Sequence, residues 1–118
     1  MSDPQITDEM ARTIIARDHG CLVRLLDPDA DRCFGRITLD HVHKGYAMLS
    51  RRAAHTLGTL VAVCEWHHGT NRIGGGRSTS KVNRARQRAW LIFHAEPRSM
   101  LAVDAMIREL RGEGSAAA

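Results

Sequence analysis

Aromatic residues are scarce in this sequence, and their scarcity limits how the chain can stabilise a core. Phe, Trp and Tyr together account for 4% of the 118 residues. A chain of this length predicts one domain whose hydrophobic core is adequate but not large. A structural metal ion would therefore be a useful supplement to hydrophobic packing.

Long apolar runs are absent as well. No segment approaches the length that a bilayer crossing requires, and residues 1–10 lack the basic and apolar regions of a secretory leader. We therefore expect a cytoplasmic protein with no membrane partner. The three cysteines argue against a disulfide framework in a reducing compartment, which leaves metal binding or buried thiols.

Acidic residues are nearly absent from the middle of the chain. Between His41 and Ala95 the only acid is Glu65, in a chain whose net charge is +4. A basic segment with no acid to neutralise it is what a polyanion-binding surface requires. A solvated helical face is the alternative, and charge alone does not choose between the two. The predicted contacts to nucleic-acid phosphates, which give affinity without reading base sequence, are Arg72, Arg77, Lys81, Arg84, Arg86 and Arg88.

The pattern of apolar residues predicts an α+β fold with a small two-stranded centre and helices around it. The domain is expected at residues 9–112, between a disordered lead at 1–8 and a disordered tail at 113–118. Ser99 is the expected N-cap of the last helix, and Gly112 its stop. The predicted strands cover residues 21–26, 33–43 and 59–64, and the predicted helices cover residues 7–20, 81–95 and 99–112, with a further helix starting at 65.

Two clusters of polar residues stand at the ends of two predicted strands. Asp40 and His41 lie near the end of the strand at 33–43, and the sequence CEWHH, with His67 and His68, begins at the end of the strand at 59–64. Antiparallel pairing would bring the two ends together, so that Asp40 and His68 could bind one hard or borderline divalent cation. His41 would remain unligated and free to accept a proton from water at neutral pH. An Asp-His pair alone is often only a surface hydrogen bond, so the prediction of a site depends on His68 joining it.

The segments LDHVH and TLVAVCEWHH together resemble the HNH endonuclease family, the ββα-metal nucleases, and are most similar to small HNH proteins of actinobacterial phages. The resemblance covers residues 21–91. It implies a ββα-metal core, followed by C-terminal helices at 81–112, in which Asp40 and His68 bind one divalent cation (Mg²⁺, Mn²⁺ or Ni²⁺). His41 would be the general base for hydrolysis of DNA phosphodiester bonds. The resemblance also implies action beside the phage terminase large subunit during genome packaging in the host cytoplasm.

Many members of that family carry a structural zinc ion on two Cys-x-x-Cys pairs. Here the ligands would be Cys21, Cys33, Cys64 and His67, a Cys₃His set that uses every cysteine in the chain. Cys21 and Cys33 are eleven residues apart rather than two, so the intervening segment would have to bring its ends together. Burial of the cysteines as small hydrophobic residues is the alternative.

The chain departs from the family pattern at the Asn that orients the general base, since Thr59 stands at that position. A Thr hydroxyl or backbone carbonyl could orient His41 instead. Asn71 is a candidate third metal ligand, with a helix cap or a phosphate contact as alternatives. The leading hypothesis is therefore a metal-dependent endonuclease of low sequence specificity. A zinc-stabilised DNA-binding module without catalysis is the second, and a factor that acts through a protein partner is the third.

Overall fold

The α+β class is confirmed by the computed structural model, whose described residues are 6–42, 56–69 and 76–113. No helix in these ranges combines the length and the apolar character that a membrane span needs. A 3₁₀ turn, Arg77–Thr79, precedes the long helix of the chain's second half. In chain order the other elements are α1 (Asp8–Arg17), α2 (Leu22–Leu26), β1 (Ile37–His41), β2 (Leu60–Cys64), α3 (Glu65–His68), α4 (Lys81–Phe93) and α5 (Met100–Leu110).

Strands β1 and β2 form an antiparallel sheet, as predicted, with Asp40 opposite Val61 and His41 opposite Leu60. Successive side chains of a strand point to opposite faces, so Asp40 and His41 lie on different sides of the sheet. The side that carries Leu60 packs against α1 through Ile14. The side that carries Asp40 faces α3 and α4, because its carboxylate contacts His68 and Arg84.

Helix α1 is tied to the sheet by buried hydrogen bonds rather than by apolar contacts alone. Asp18, at the C-terminal end of α1, is fully buried and accepts hydrogen bonds from the Ala62 backbone N–H (2.8 Å) and from Trp90 Nε1 (2.8 Å). Arg17 donates to Asp18 (2.6 Å) and to the carbonyl oxygen of Leu60 (2.6 Å). These two residues therefore connect α1 to β2 and to α4 and fix the relative positions of the three elements.

The prediction of a strand at residues 21–26 is wrong, because Leu22–Leu26 forms helix α2. A short continuous apolar run fits a buried strand and a buried helix equally well, and periodicity does not separate them. Leu22, Val23 and Leu26 lie on one helical face and are buried against β2 and α4, whereas Arg24 is exposed. Tertiary packing therefore selects the helix.

The two C-terminal helices form where the sequence predicts them. Ser80 Oγ accepts a hydrogen bond from the Asn83 N–H (3.1 Å), and Ser99 Oγ accepts one from the Ala102 N–H (3.1 Å), so each serine is an N-cap. Gly112 follows α5 with a φ of 82°, a left-handed conformation that favours glycine. The predicted helix from residue 65 is shorter than expected, since α3 ends at His68 before Gly69.

Three of the six predicted phosphate contacts are paired with buried acids, so the expectation that no acid neutralises them is wrong. The carboxylate of Asp27, which is 1% exposed, accepts hydrogen bonds from Arg77 (2.8 Å) and Asn83 (2.9 Å), and Arg86 lies 3.8 Å away. Arg84 is paired with Asp40. The acids come from the N-terminal half of the chain, which a count of charges within residues 41–95 omits.

The Asp27 network is expected to stabilise the fold in a pH-dependent way. Burial alone would raise the pKa of Asp27, but the hydrogen bonds from Asn83, the Asp29 N–H and Arg77 hold it below its ordinary value. A group with a depressed folded-state pKa contributes stability that is complete above its unfolded pKa. That stability is lost as the pH falls through the lower folded pKa.

Replacement Asp27→Asn should lower the free energy of unfolding by about 2 kcal/mol at pH 7, because hydrogen bonds to a charged group are lost. The loss is not larger because Arg77 is partly exposed and solvent screens its charge. Urea titrations at pH 7 and at pH 3 measure the effect, which should shrink at the lower pH. The exposed neighbour provides the control, since Asp29→Asn should change stability by less than about 0.5 kcal/mol. Equal decreases in the free energy of unfolding of the two variants would show that the buried Asp27 network stabilises the fold no more than an exposed aspartate does.

Candidate metal centre and active site

Three cysteines and one histidine come together between α2, β1 and α3, and all four were predicted as zinc ligands. Their ligand atoms lie within 4.8 Å of one another. The Sγ atoms of Cys21, Cys33 and Cys64 lie 3.5, 3.9 and 3.2 Å from His67 Nδ1. Ligands at zinc distances in a tetrahedron are separated by about 3.5–3.8 Å. The cluster could therefore hold a metal ion such as zinc.

The long spacing between the first two cysteines is overcome by contacts of the Cys33 loop with α3. The N–H of Trp66 donates to the carbonyl oxygen of Phe34 (3.0 Å), and the N–H of Glu65 donates to that of Arg36 (2.8 Å). Gly35 lies between them with a φ of 85°, and a Cβ atom there would come within 2.9 Å of Glu65 Cβ. Only glycine therefore allows this close approach, which carries Cys33 to the cluster.

Asp31 was not predicted as part of the site, although its contacts fix the orientation of His67. Its Oδ1 lies 2.9 Å from His67 Nε2, and its Oδ2 accepts a hydrogen bond from Trp66 Nε1 (2.8 Å). A proton on Nε2 leaves the lone pair of Nδ1 directed at the three sulfur atoms. A carboxylate behind a ligating histidine is a common outer partner in metal sites. The only signal in the sequence is the acidic segment DPDADR between Cys21 and Cys33.

The pKa values of the three thiols are shifted in different directions. Desolvation raises the pKa of Cys21 and of Cys33, because a thiolate there is surrounded by other sulfur atoms and apolar groups. Burial would also raise the pKa of Cys64, but hydrogen bonds from the backbone N–H groups of His67 and Phe34 outweigh it and lower the pKa. A dication favours the thiolate form at all three positions, so metal binding and thiol ionisation are coupled.

Asp40 and His68, the two predicted ligands of a catalytic cation, lie beside each other and form a second cluster. Asp40 Oδ1 lies 3.4 Å from His68 Nε2. Two neighbouring ligands of an octahedral ion at Mg²⁺-like distances are about 3 Å apart, so the spacing of the pair is compatible with one shared cation. Consecutive residues of a helix point about 100° apart, which lets His67 serve the first cluster and His68 the second.

Thr38 fixes the ring of His68 and was not singled out by the sequence. Its hydroxyl donates to the carbonyl oxygen of Val63 (2.7 Å) and lies 2.7 Å from His68 Nδ1. Because the hydroxyl proton is already used, the oxygen accepts from Nδ1–H, so Nε2 is the nitrogen that faces Asp40. Nε2 can donate to the carboxylate when it carries a proton, or bind a cation when it does not.

The Asp40 carboxylate is buried in a polar network that α4 and the 3₁₀ turn before it provide. Ser78 Oγ donates to Oδ2 (2.6 Å), while Arg84 contacts both carboxylate oxygens, at 3.0 and 3.2 Å. Gln87 bridges the network, since it donates to Ser78 Oγ (3.0 Å) and accepts from Arg84 (3.0 Å). Burial alone would raise the pKa of Asp40, but the contacts of His68, Ser78 and Arg84 lower it to about 2. Asp40 is therefore a carboxylate at neutral pH.

The other predicted site residues lie at the end of the sheet or outside the described chain. His41 is half-buried at the end of β1, on the opposite side from Asp40. Thr59 precedes β2, and its carbonyl oxygen accepts from the Val42 N–H (2.7 Å), whereas its hydroxyl forms hydrogen bonds with Thr56. Lys81 and Arg88 are exposed on α4. The proposed third ligand Asn71 and the basic residue Arg72 lie outside the described residues.

No protein-family model matches this chain, and neither a curated protein nor a solved structure is significantly similar to it. A functional assignment therefore depends on the chemistry of the two clusters.

We expect the purified protein to bind one equivalent of zinc at the Cys₃His cluster, and Asp31→Asn to weaken that binding about 10–100-fold. The physical reason is that Asp31 fixes the Nε2–H tautomer of His67 and raises the basicity of Nδ1. Competition with a chromophoric chelator at pH 7 measures the affinity.

Asp29→Asn, in the same loop, is the matched control and should bind zinc as the wild type does. Zinc binding that is equally strong in Asp31→Asn would show that the Asp31 carboxylate does not contribute to zinc affinity. A wild-type protein that takes up no zinc would show that the cysteines are only buried thiols.

Proposed function

We propose that this protein is a metal-dependent endonuclease of the HNH type, which hydrolyses phosphodiester bonds of DNA on a ββα-metal core. One observation carries the proposal: Asp40 from β1 and His68 from α3 present a carboxylate oxygen and an imidazole nitrogen to each other at 3.4 Å. Thr38 accepts a hydrogen bond from Nδ1–H of His68, so Nε2 is the nitrogen that faces Asp40 and that a cation would use.

The order of the elements supports the same interpretation. The acid stands near the end of the first strand of an antiparallel pair, and the histidine stands in the helical turn directly after the second strand. This is the arrangement that the resemblance to the HNH family implies for residues 37–68. The proposed zinc ion on Cys21, Cys33, Cys64 and His67 would hold α3 in place beneath the catalytic pair.

The proposed reaction assigns a separate role to each polar group. A divalent cation held by Asp40 and His68 would stabilise negative charge on the phosphate and on the departing 3′ oxygen. His41 would accept the proton of the attacking water, because a neutral imidazole is a suitable base near pH 7. Since its side chain leaves β1 on the side opposite to Asp40, the phosphate would have to lie across the end of the sheet to meet both residues. The carbonyl or hydroxyl group of Thr59, at the adjacent end of β2, would orient His41.

Affinity for DNA would come from the exposed basic residues and not from base recognition. Lys81 and Arg88 are accessible on α4, whereas Arg77, Arg84 and Arg86 are anchored by internal acids. Contacts of this kind neutralise phosphates without reading sequence, so low sequence specificity is proposed. Cooperation with a phage terminase large subunit remains a prediction from the resemblance alone.

A zinc-stabilised DNA-binding module without catalysis is the second candidate, and the contact between Arg84 and Asp40 favours it. An arginine on both oxygens of the carboxylate competes with any metal ion for that ligand. The two candidates differ in one property, since only the enzyme converts supercoiled plasmid when a divalent cation is supplied.

Incubation of supercoiled plasmid with the protein and Mg²⁺, Mn²⁺ or Ni²⁺ should give nicked or linear DNA, and EDTA should abolish the reaction. His41→Ala should slow the reaction at least about 100-fold, the usual contribution of a general base. Gel quantification of initial rates measures both effects.

His19→Asn is the matched control. His19 is exposed and outside both clusters, and it has a φ of 58°, which Asn tolerates. Its rate should equal that of the wild type. A wild-type protein that is inert with every metal ion, yet retards DNA on a gel, would establish the binding module instead.

A further inference from the structure

The contacts of Asp40 divide its two oxygens into different environments. Oδ2 accepts the short hydrogen bond from Ser78 and the closer contact of Arg84. Oδ1 faces His68 and receives the longer contact of Arg84, at 3.2 Å. Ser78 is fully buried and Gln87 is 1% exposed, so the Oδ2 side is fixed by groups that cannot move easily. Oδ1 is therefore the oxygen available to a cation.

Arg84 occupies the charge-balancing position that a divalent cation would take. Its guanidinium contacts both oxygens of the only carboxylate in the catalytic pair. A second positive charge within a few ångströms repels a dication strongly where water is partly excluded. The cation and Arg84 therefore compete for Asp40.

The position of Arg84 on α4 connects the metal site to the DNA-binding face. Lys81, Arg84 and Arg88 are spaced by three and four residues, so they form one stripe along the helix. The outer two are exposed, while the middle one turns inward to Asp40, with its side chain 20% exposed. A DNA backbone whose phosphates contact Lys81 and Arg88 would pass beside Arg84 and offer its guanidinium an alternative anion.

We propose that Arg84 blocks the catalytic cation in the DNA-free protein, and that the phosphates of bound DNA draw Arg84 away from Asp40 so that the cation can bind. The inference rests on the proposed function, because it assigns a regulator to the same site. It makes metal loading and DNA binding mutually favourable, as thermodynamic linkage requires. The nuclease would then bind its catalytic cation only when DNA is also bound.

Binding of Mn²⁺ to the zinc-loaded protein tests the proposal without relying on activity. The loss of the free Mn²⁺ signal in electron paramagnetic resonance gives the dissociation constant. Arg84→Gln should bind Mn²⁺ at least about 5-fold more tightly than the wild type, since the competing charge is gone and an amide remains for Gln87. Arg84→Lys retains the charge and should bind as the wild type does. Arg88→Gln removes the same charge from the exposed part of the stripe and should leave the DNA-free affinity unchanged.

A second set of titrations adds a short DNA duplex in a His41→Ala background, which prevents cleavage. The duplex should tighten Mn²⁺ binding by about 5–150-fold in the protein that retains Arg84, and by clearly less after Arg84→Gln. Equal or weaker DNA-free binding by Arg84→Gln would overturn the proposal, as would a DNA effect of the same size with and without Arg84.

Failure of the inference and failure of the proposed function give different results. Metal-dependent plasmid cleavage together with unchanged Mn²⁺ affinity in Arg84→Gln overturns the role of Arg84 and leaves the nuclease intact. Tighter Mn²⁺ binding in Arg84→Gln without any plasmid cleavage supports the competition at Asp40 and contradicts the proposed nuclease function. Proteins that bind no Mn²⁺ in any variant overturn both.

Discussion

His67 is buried with its Nδ1 directed at three sulfur atoms, and the rest of the structure depends on this contact. It joins the start of α2, the loop before β1 and the end of β2 at one point. A chain with so few aromatic residues has little other means of fixing a four-residue helical turn such as α3. Because His68 follows His67 directly, whatever holds the first histidine also sets the direction of the second toward Asp40.

Buried acids provide the second means of cross-linking this small core. Asp18, Asp27 and Asp40 each come from the N-terminal half and each accept hydrogen bonds from groups on or beside α4. Each acid is close to an arginine, so the cost of burying the carboxylate is offset by charge pairing as well as by hydrogen bonds. The basic composition of residues 72–88 therefore has two uses: some arginines hold the fold, and the exposed residues remain available to a polyanion.

Under the proposed function, stability and catalysis make opposite demands on Arg84. Arg84 neutralises a buried carboxylate, which favours the folded state when no metal ion is bound. The same contact opposes the cation that the proposed reaction requires. Natural active sites often carry such a conflict, because groups arranged for chemistry are not arranged for maximal stability. A substrate that supplies an alternative anion for Arg84 would resolve it at the moment of use.

The sequence by itself determined the features that depend on neighbours along the chain. These include the two strands that carry Asp40 and Cys64 and the helices that begin after Ser80 and Ser99. The Cys₃His ligand set was implied by the resemblance to the HNH family, and tertiary contacts of the Cys33 loop bring it together. Tertiary structure alone decided three others: the helical state of residues 22–26, the pairing of Arg84 with Asp40, and the support of His67 by Asp31. In the first case a short apolar run fits two conformations until its neighbours bury it. In the other two the partners lie more than thirty residues apart, and local sequence carries no information about which distant charge a folded chain will place beside another.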